Sequence, residues 1–154
     1  MIVLGIDPGV TGGLAFVFVG VPHVFDIPSV NGEIDAAEVR RLILGHGASG
    51  DEMLAVIERA SSRPGQGVAS TFKYGAAYGA LKAIVQAAGI PLHVVTPQTW
   101  KKHFKLDSDK EKSRALAIRL WPACSAFSRK MDHGRAEAAL IAQYGREVLA
   151  ARAS

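Results

Sequence analysis

The hydrophobic pattern begins with three apolar segments that predict a β-meander. Residues 2–7, 14–19 and 21–27 are rich in β-branched and aromatic residues, and the glycines and proline between them favour turns. A continuous apolar run at residues 53–57 is typical of a strand buried on both faces of a sheet. Residues 91–95 predict one more short strand.

The remaining segments carry helical signals. Residues 35–44 have apolar positions at helical spacing, and residues 68–88 predict a long helix after a loop at 61–67 that is rich in Ser, Gly and Pro. Thr96 and Pro97 mark the start of a short basic helix that reaches Phe104, and residues 108–111 have a capping-box pattern that opens a helix to residue 120. The last helix begins near Gly134. This order of elements predicts an α/β fold, with a mixed central β-sheet flanked by helices, in one domain that spans residues 1–154.

Acidic residues end the two most apolar strands. Asp7 comes directly before Pro8 and Gly9, where the chain must turn, and Glu58 ends the run at 53–57. If the two strands are neighbours and parallel, both carboxylates emerge at the carboxyl edge of the sheet, where α/β proteins place their sites. We therefore expect Asp7 and Glu58 to form a pair.

The last predicted helix supplies a third acid. Glu137, Ile141, Tyr144 and Val148 fall on one stripe of this helix, so Glu137 lies at the start of its inward face. Asp132, in the preceding loop, can point to the same place, whereas His133 could assist proton transfer or replace one ligand. Acids from three elements suit Mg²⁺ and the attack of water on a phosphodiester.

The distribution of charge predicts a polyanionic partner. Residues 59–135 contain 14 Lys and Arg against 4 Asp and Glu, whereas residues 1–58 contain 2 against 8. Lys and Arg contacts to phosphates supply most of the sequence-independent affinity for nucleic acids. A solvated basic face is the alternative. The candidate phosphate contacts in the later part of this block are Lys101, Lys102, Lys105, Lys110 and Lys112.

A glycine-rich segment after Glu58 adds aromatic residues to this basic block. Lys73 can contact a phosphate, and Phe72 or Tyr74 can stack on an unstacked base. Packing of these two rings in the core is the alternative. Gln66 and Arg135 complete the predicted DNA contacts. The two tryptophans of the chain are expected in the core.

Together, these motifs resemble a known family. The sequence GIDPG at residues 5–9, VIE at 56–58 and DHGRAEAALIA at 132–142 are similar to the acidic motifs of RuvC-type Holliday-junction resolvases, especially phage and prophage members. Residues 64–68, 72–80 and 96–101 extend the resemblance. It implies a ribonuclease-H-like fold, a homodimer, Mg²⁺ or Mn²⁺, and paired nicks in a four-way DNA junction. The family's acidic positions transfer to Asp7, Glu58 and Glu137, with either Asp132 or His133 as the fourth.

Three other functions are considered. The first motif also resembles the phosphate loop of sugar kinases and actin-like ATPases, but those proteins need two such domains, so no nucleotide cofactor is expected. A catalytically inactive junction-binding module and a nuclease for RNA–DNA hybrids both stay open.

The composition bears on location and assembly. Cys124 is the single cysteine, no apolar run reaches membrane-spanning length, and the first residues do not form a signal peptide. The expected location is therefore the cytoplasm of a bacterium or of a phage-infected cell, without a membrane partner.

The helix at 68–88 is the most apolar one available for a homodimer interface, because its small residues permit close approach.

Overall fold

The computed structural model describes residues 1–47 and 52–152, and its centre is a five-stranded sheet. Strands β1 (Ile2–Asp7), β2 (Gly13–Val17) and β3 (His23–Asp26) form an antiparallel meander. The short strands β4 (Ser29–Val30) and β5 (Glu33–Ile34) form a separate hairpin. Strands β6 (Met53–Glu58) and β7 (Leu92–Val95) then extend the main sheet in parallel with β1, giving the order β3-β2-β1-β6-β7. The predicted mixed sheet is confirmed.

Helices cover both faces of this sheet. They are α1 (Ala36–His46), α2 (Val68–Ala87), α3 (Pro97–His103), α4 (Lys110–Leu120) and α5 (His133–Tyr144). Side chains of Asp35, Thr96 and Asp109 cap α1, α3 and α4 at their first turns, because each accepts a hydrogen bond from a backbone N–H there. No helix in the described parts of the chain is long and apolar enough to cross a membrane.

Alternation along the strands divides the core into two layers. Ile2, Leu4 and Ile6 of β1 pack with α1 and α2, whereas Val3 packs with α3, α4 and α5. Strand β6 alternates in the same way, so its Leu54 and Val56 also face α5. Asp7 and Glu58 continue the α5 side of their strands, since every second side chain of a strand points to one face.

Helix α5 lies directly on the sheet because glycines remove side chains from the contact. A Cβ atom at Gly5 would stand 2.0 Å from the carbonyl oxygen of Ala138, and one at Gly134 would stand 2.6 Å from the carbonyl oxygen of Thr11. The helix is buried on all sides from Ala136 to Ala142, not along one stripe. This close approach brings the first turn of α5 to the ends of β1 and β6.

Three features differ from the sequence-based expectation. The β4–β5 hairpin was not predicted, because strands of two residues are too short to show a period. Strands β2 and β3 are shorter than the predicted segments, since residues 18–21 form the exposed connection between them. The chain also forms a 3₁₀ turn at Ser125–Phe127 and continues after α5 into a π-helical turn at Gly145–Leu149.

Candidate active site

The two strand-end acids lie next to each other at the carboxyl edge of the sheet. Strands β1 and β6 are parallel neighbours, and their register pairs Ile6 with Ile57, so Asp7 and Glu58 follow side by side. Both continue the face that α5 covers. The pairing predicted from the sequence therefore has the strand arrangement that it requires.

Glu137 enters the same place from the second turn of α5. Asp7, Glu58 and Glu137 together line an open cavity of about 800 Å³. The backbone around the cavity comes from the turn after β1, the end of β3 and the start of α5. The other charged or ionisable side chains that line it are Asp26, Arg63, Tyr74, Lys101, Lys110, Arg129 and His133.

The three carboxylates perturb one another. Burial raises the pKa of Asp7 well above its ordinary value, and the negative charges of Glu137 and Glu58 raise it further. Burial also raises the pKa of Glu58, although a hydrogen bond from Trp100 opposes this shift. Lys110 and Lys101 act in the opposite direction on Asp7, because their positive charges favour its ionised form. This concentration of negative charge favours a cation at the carboxylates.

Three contacts that the sequence did not indicate fix the acids. The indole Nε1 of Trp100 donates a hydrogen bond of 2.7 Å to Glu58 Oε2. Ser113 Oγ donates to Glu137 Oε1 at 3.3 Å, and Lys101 Nζ lies 3.4 Å from the same oxygen. Trp100 is buried as expected, but its indole N–H binds a carboxylate of the site. Helices α3 and α4 thus orient the carboxylates through side chains far away in sequence.

Asp132 and His133 differ sharply in their surroundings, although they are adjacent. The Asp132 carboxylate is held by Arg129, through Nε and Nη2 at 3.1 and 2.8 Å and through the backbone N–H at 2.8 Å. Burial raises the pKa of Asp132, but these hydrogen bonds and the charge of Arg129 outweigh it and leave the pKa below its ordinary value. Asp132 does not line the cavity, whereas His133 does, and the buried Nδ1 atom of His133 has no hydrogen-bond partner within residues 1–47 and 52–152.

Tyr74 and Gln66 both lie at the cavity. The ring of Tyr74 packs close to Gly9, and the side chain is partly buried at the cavity wall. Burial and the charges of Asp7 and Glu58 raise the pKa of Tyr74 to about 12, so its hydroxyl stays protonated. Gln66 Oε1 accepts a hydrogen bond from the backbone of Arg63, which also lines the cavity and was not singled out from the sequence.

The other predicted DNA contacts fall into two groups. Phe72 is 77% exposed on α2 and belongs to neither layer of the core, and the neighbouring Lys73 is also exposed. Lys110 lines the cavity that holds the carboxylates, and Lys102 lines a second cavity beside it. By contrast, two cations are bound to carboxylates: Lys112 to Asp107, and Arg135 to Asp26 at 2.7 and 3.0 Å.

The donor set suits a hard divalent cation. Three carboxylates and an unpartnered imidazole nitrogen are of the type that Mg²⁺ or Mn²⁺ accepts. Within residues 1–47 and 52–152, no group of three or more His, Cys, Asp or Glu side chains is arranged to hold a metal ion. Instead, the Lys101 ammonium group lies at Glu137, where it stands in for the positive charge of a cation.

The strand order, the helices on both faces and the acids at the carboxyl edge define a protein with the ribonuclease-H-like fold. The chain is similar to RuvC of Thermus thermophilus. Comparison with a structure of that protein in complex with a Holliday-junction substrate gives a TM-score of 0.68 at 21% identity, with 96% of each chain covered. A second Thermus thermophilus RuvC structure gives a TM-score of 0.64 with the same identity and coverage. No protein-family model and no curated protein sequence matches the chain.

Proposed function

We propose that this protein is an endonuclease that resolves four-way DNA junctions by metal-dependent hydrolysis of phosphodiester bonds. The observation that carries the proposal is the meeting of Asp7, Glu58 and Glu137 in one open cavity of a RuvC-like fold. The Thermus thermophilus protein of this fold has been solved in complex with a Holliday junction. Lysines beside the acids, and the net positive charge of residues 59–135, favour DNA over a neutral substrate.

The three carboxylates and His133 would hold Mg²⁺ or Mn²⁺. A bound pair of such ions activates water and stabilises the attacking and leaving oxygens of a phosphodiester. Trp100 and Ser113 keep Glu58 and Glu137 in place through their hydrogen bonds. Lys101 would leave Glu137 when a cation binds and turn its ammonium group to a phosphate oxygen.

Among the two candidates for the fourth position, the surroundings favour His133. His133 lines the cavity, and its buried Nδ1 atom has no hydrogen-bond partner among the described residues, so the imidazole has a nitrogen that a cation or a proton would satisfy. Asp132 is already neutralised by Arg129 and anchors the start of α5. We therefore assign Asp132 a positioning role.

A homodimer would supply the second active site that paired nicks require. The later turns of α2 expose small residues, with Ala76 beside Gly75 and Gly79. A Cβ atom at either glycine would meet open space, so none of the residues that the structure describes covers this part of the helix. A two-fold arrangement through α2 would match the symmetry of a four-way junction.

Branch recognition is assigned to Phe72. Its exposed ring lies on the first turns of α2, directly after the loop that follows Glu58. Unstacking a base costs a few kcal/mol in an intact duplex and less where stacking is already interrupted, so an aromatic wedge selects a branch. We expect Phe72→Ala to reduce junction selectivity and cutting while leaving Tm near that of the wild type. Unaltered selectivity in this variant would remove Phe72 from the DNA interface.

The proposal is tested by comparing the cleavage of matched substrates with Mg²⁺. A four-way junction, a duplex of the same sequence and an RNA–DNA hybrid are incubated with the wild-type protein. We expect paired nicks near the crossover of the junction and little cutting of the other two. Preferential cutting of the hybrid would favour the alternative nuclease, and binding without any cutting would favour the inactive junction-binding module.

A further inference from the structure

A second cavity adjoins the catalytic cavity, and five of its twelve lining residues are cations. It has a volume of about 1040 Å³ and shares Arg63, Pro97, Lys101 and Ser108 with the catalytic cavity. We call it the basic groove. The further cations that line it are Arg59, Lys102 and Lys105.

The positive charge of the basic groove is not neutralised by the protein. Its single acidic residue, Asp107, is bound to Lys112. In the described parts of the chain, no carboxylate forms an ion pair with Arg59, Arg63, Lys102 or Lys105. Four unpaired cations around one groove repel each other, so the groove favours an anionic ligand.

Lys105 has a backbone conformation that a lysine adopts only at a cost. Its φ angle is 57°, in the left-handed region that favours glycine. The residue follows the C-cap of α3, where the N–H of Leu106 donates to Lys101 O at 2.8 Å and the N–H of Lys105 donates to Lys102 O at 3.1 Å. This is the hydrogen-bond pattern of a Schellman motif, whose left-handed position is usually a glycine. Local stability alone would therefore favour a glycine, which has no side chain, at position 105.

We propose that the basic groove holds the phosphates of the DNA strand next to the bond that is cut, and that Lys105 contacts one of these phosphates. The inference rests on the proposed nuclease function, because the catalytic cavity would hold the scissile phosphate. Each strand of DNA carries one charge per about 3.4 Å along its axis, so a strand with one phosphate at the acids places further phosphates beside it. The basic groove offers unpaired cations on that path.

Three substitutions at Lys105 separate its charge from its backbone strain. Lys105→Gln removes the charge and keeps the strain, Lys105→Gly removes both, and Lys105→Arg keeps both. Junction binding is measured in Ca²⁺ between 50 and 200 mM salt, so that cutting does not interfere. We expect the Gln and Gly variants to lower the slope of log affinity against log salt by about 0.9, the value for one phosphate contact, and the Arg variant to bind like the wild type.

The melting temperature of the same proteins tests the strain. Relief of a left-handed side chain is expected to raise the Tm of Lys105→Gly by about 2–4 °C, whereas Lys105→Gln and Lys105→Arg stay near the wild type. A lower Tm in Lys105→Gly would contradict the strain argument. The expected combination is a more stable protein that binds DNA less well.

A matched control lies on the other side of the sheet. Arg40 is an exposed cation on α1, which packs on the face opposite to α3, so Arg40→Gln is expected to leave the salt slope unchanged. Wild-type affinity and salt slope in Lys105→Gln and Lys105→Gly would overturn the assignment of the groove. A failure of the proposed function would look different, because the wild-type protein would then cut no branched DNA. The salt slopes of DNA binding would still show whether Lys105 contacts a phosphate.

Discussion

At the scale of single residues, Asp7 is the group most affected by the fold. Its raised pKa arises first from burial and then from the charges of Glu137 and Glu58. Without a bound cation, the folded protein therefore holds the Asp7 proton more tightly than the unfolded chain does. As pH rises above about 4, the ordinary pKa of aspartate, the unfolded chain releases this proton first and the folded state loses stability.

Asp7→Asn should consequently stabilise the protein when metal is absent. We expect its Tm in a chelator to exceed that of the wild type by an amount that grows as pH rises from 4 and levels off above the raised pKa. Mg²⁺ is expected to raise the Tm of the wild type and not that of Asp7→Asn. Melting curves across pH, with and without Mg²⁺, provide the measurement.

The control for this prediction lies at the opposite end of a neighbouring strand. Glu52 is an exposed acid just before β6, whereas Glu58 ends that strand at the site. For Glu52→Gln, the difference in Tm from the wild type should not grow with pH, and Mg²⁺ should still raise the Tm. Equal behaviour of Asp7→Asn and the wild type at every pH would contradict the electrostatic description of the site.

Asp132 and His133 should respond differently to substitution. Asp132→Asn loses the ion pair with Arg129 and is expected to cost about 1–3 kcal/mol of stability, with cutting by the folded fraction reduced only moderately. His133→Asn is expected to keep its stability and lose about 100-fold or more in cutting. Single-turnover cleavage and Tm, measured on both variants, give the comparison. The reverse pattern would return Asp132 to the metal site.

The sequence predicted the acids more readily than their partners. Asp7 and Glu58 could be found because each ends an apolar strand, and Glu137 because it continues an apolar helical stripe. The contacts of Trp100 with Glu58 and of Ser113 with Glu137 join residues 42 and 24 positions apart. Such contacts depend on how α3 and α4 pack, which no local pattern specifies.

At the scale of elements, the contact of α5 with the sheet determines the geometry of the site. Gly5 lies in the middle of β1, directly below the backbone of α5, and Glu137 is on the second turn of that helix. The strands and long helices were predicted well because their periodicity is strong. The burial of α5 on all sides was not predicted, because it arises from glycines on other elements and from small residues on the helix itself.

Gly5→Ala tests this contact. The added methyl group would meet the carbonyl oxygen of Ala138 at 2.0 Å and the backbone nitrogen of Ala142 at 2.5 Å, so α5 must move away from the sheet. We expect a loss of about 3 kcal/mol in stability and reduced cutting by the folded fraction. Calorimetry together with cleavage at a temperature where the variant is folded measures both.

A glycine in open space serves as the control. Gly45 lies near the end of α1, and a Cβ atom there meets no atom of the described residues within 4 Å. Gly45→Ala should therefore raise stability by about 0.5–1 kcal/mol, because alanine favours the helix. If Gly5→Ala were tolerated equally well, α5 would not be fixed by its contact with β1.

At the scale of the whole molecule, the uncovered face of α2 carries the expectation of a homodimer. We expect the wild type to sediment as a dimer and Gly79→Leu to sediment as a monomer that keeps its fold, since a Cβ atom there has no atom of the described residues within 4 Å. Gly45→Leu, at another exposed helical glycine, should remain dimeric. A wild type that is monomeric both alone and on junction DNA would rule out this assembly.

Cutting and binding measured on one four-way junction test the proposed chemistry most directly. The wild type, Asp7→Asn and Glu137→Gln are compared at the same protein concentration, with Mg²⁺ for cleavage and Ca²⁺ for binding. Because the acids carry the cation and the basic surface carries the DNA, we expect both variants to bind the junction as tightly as the wild type and to lose nearly all cutting. Near-normal cleavage by either variant, or no cleavage by the wild type with Mg²⁺ or Mn²⁺, would contradict a metal-dependent resolvase built on Asp7, Glu58 and Glu137.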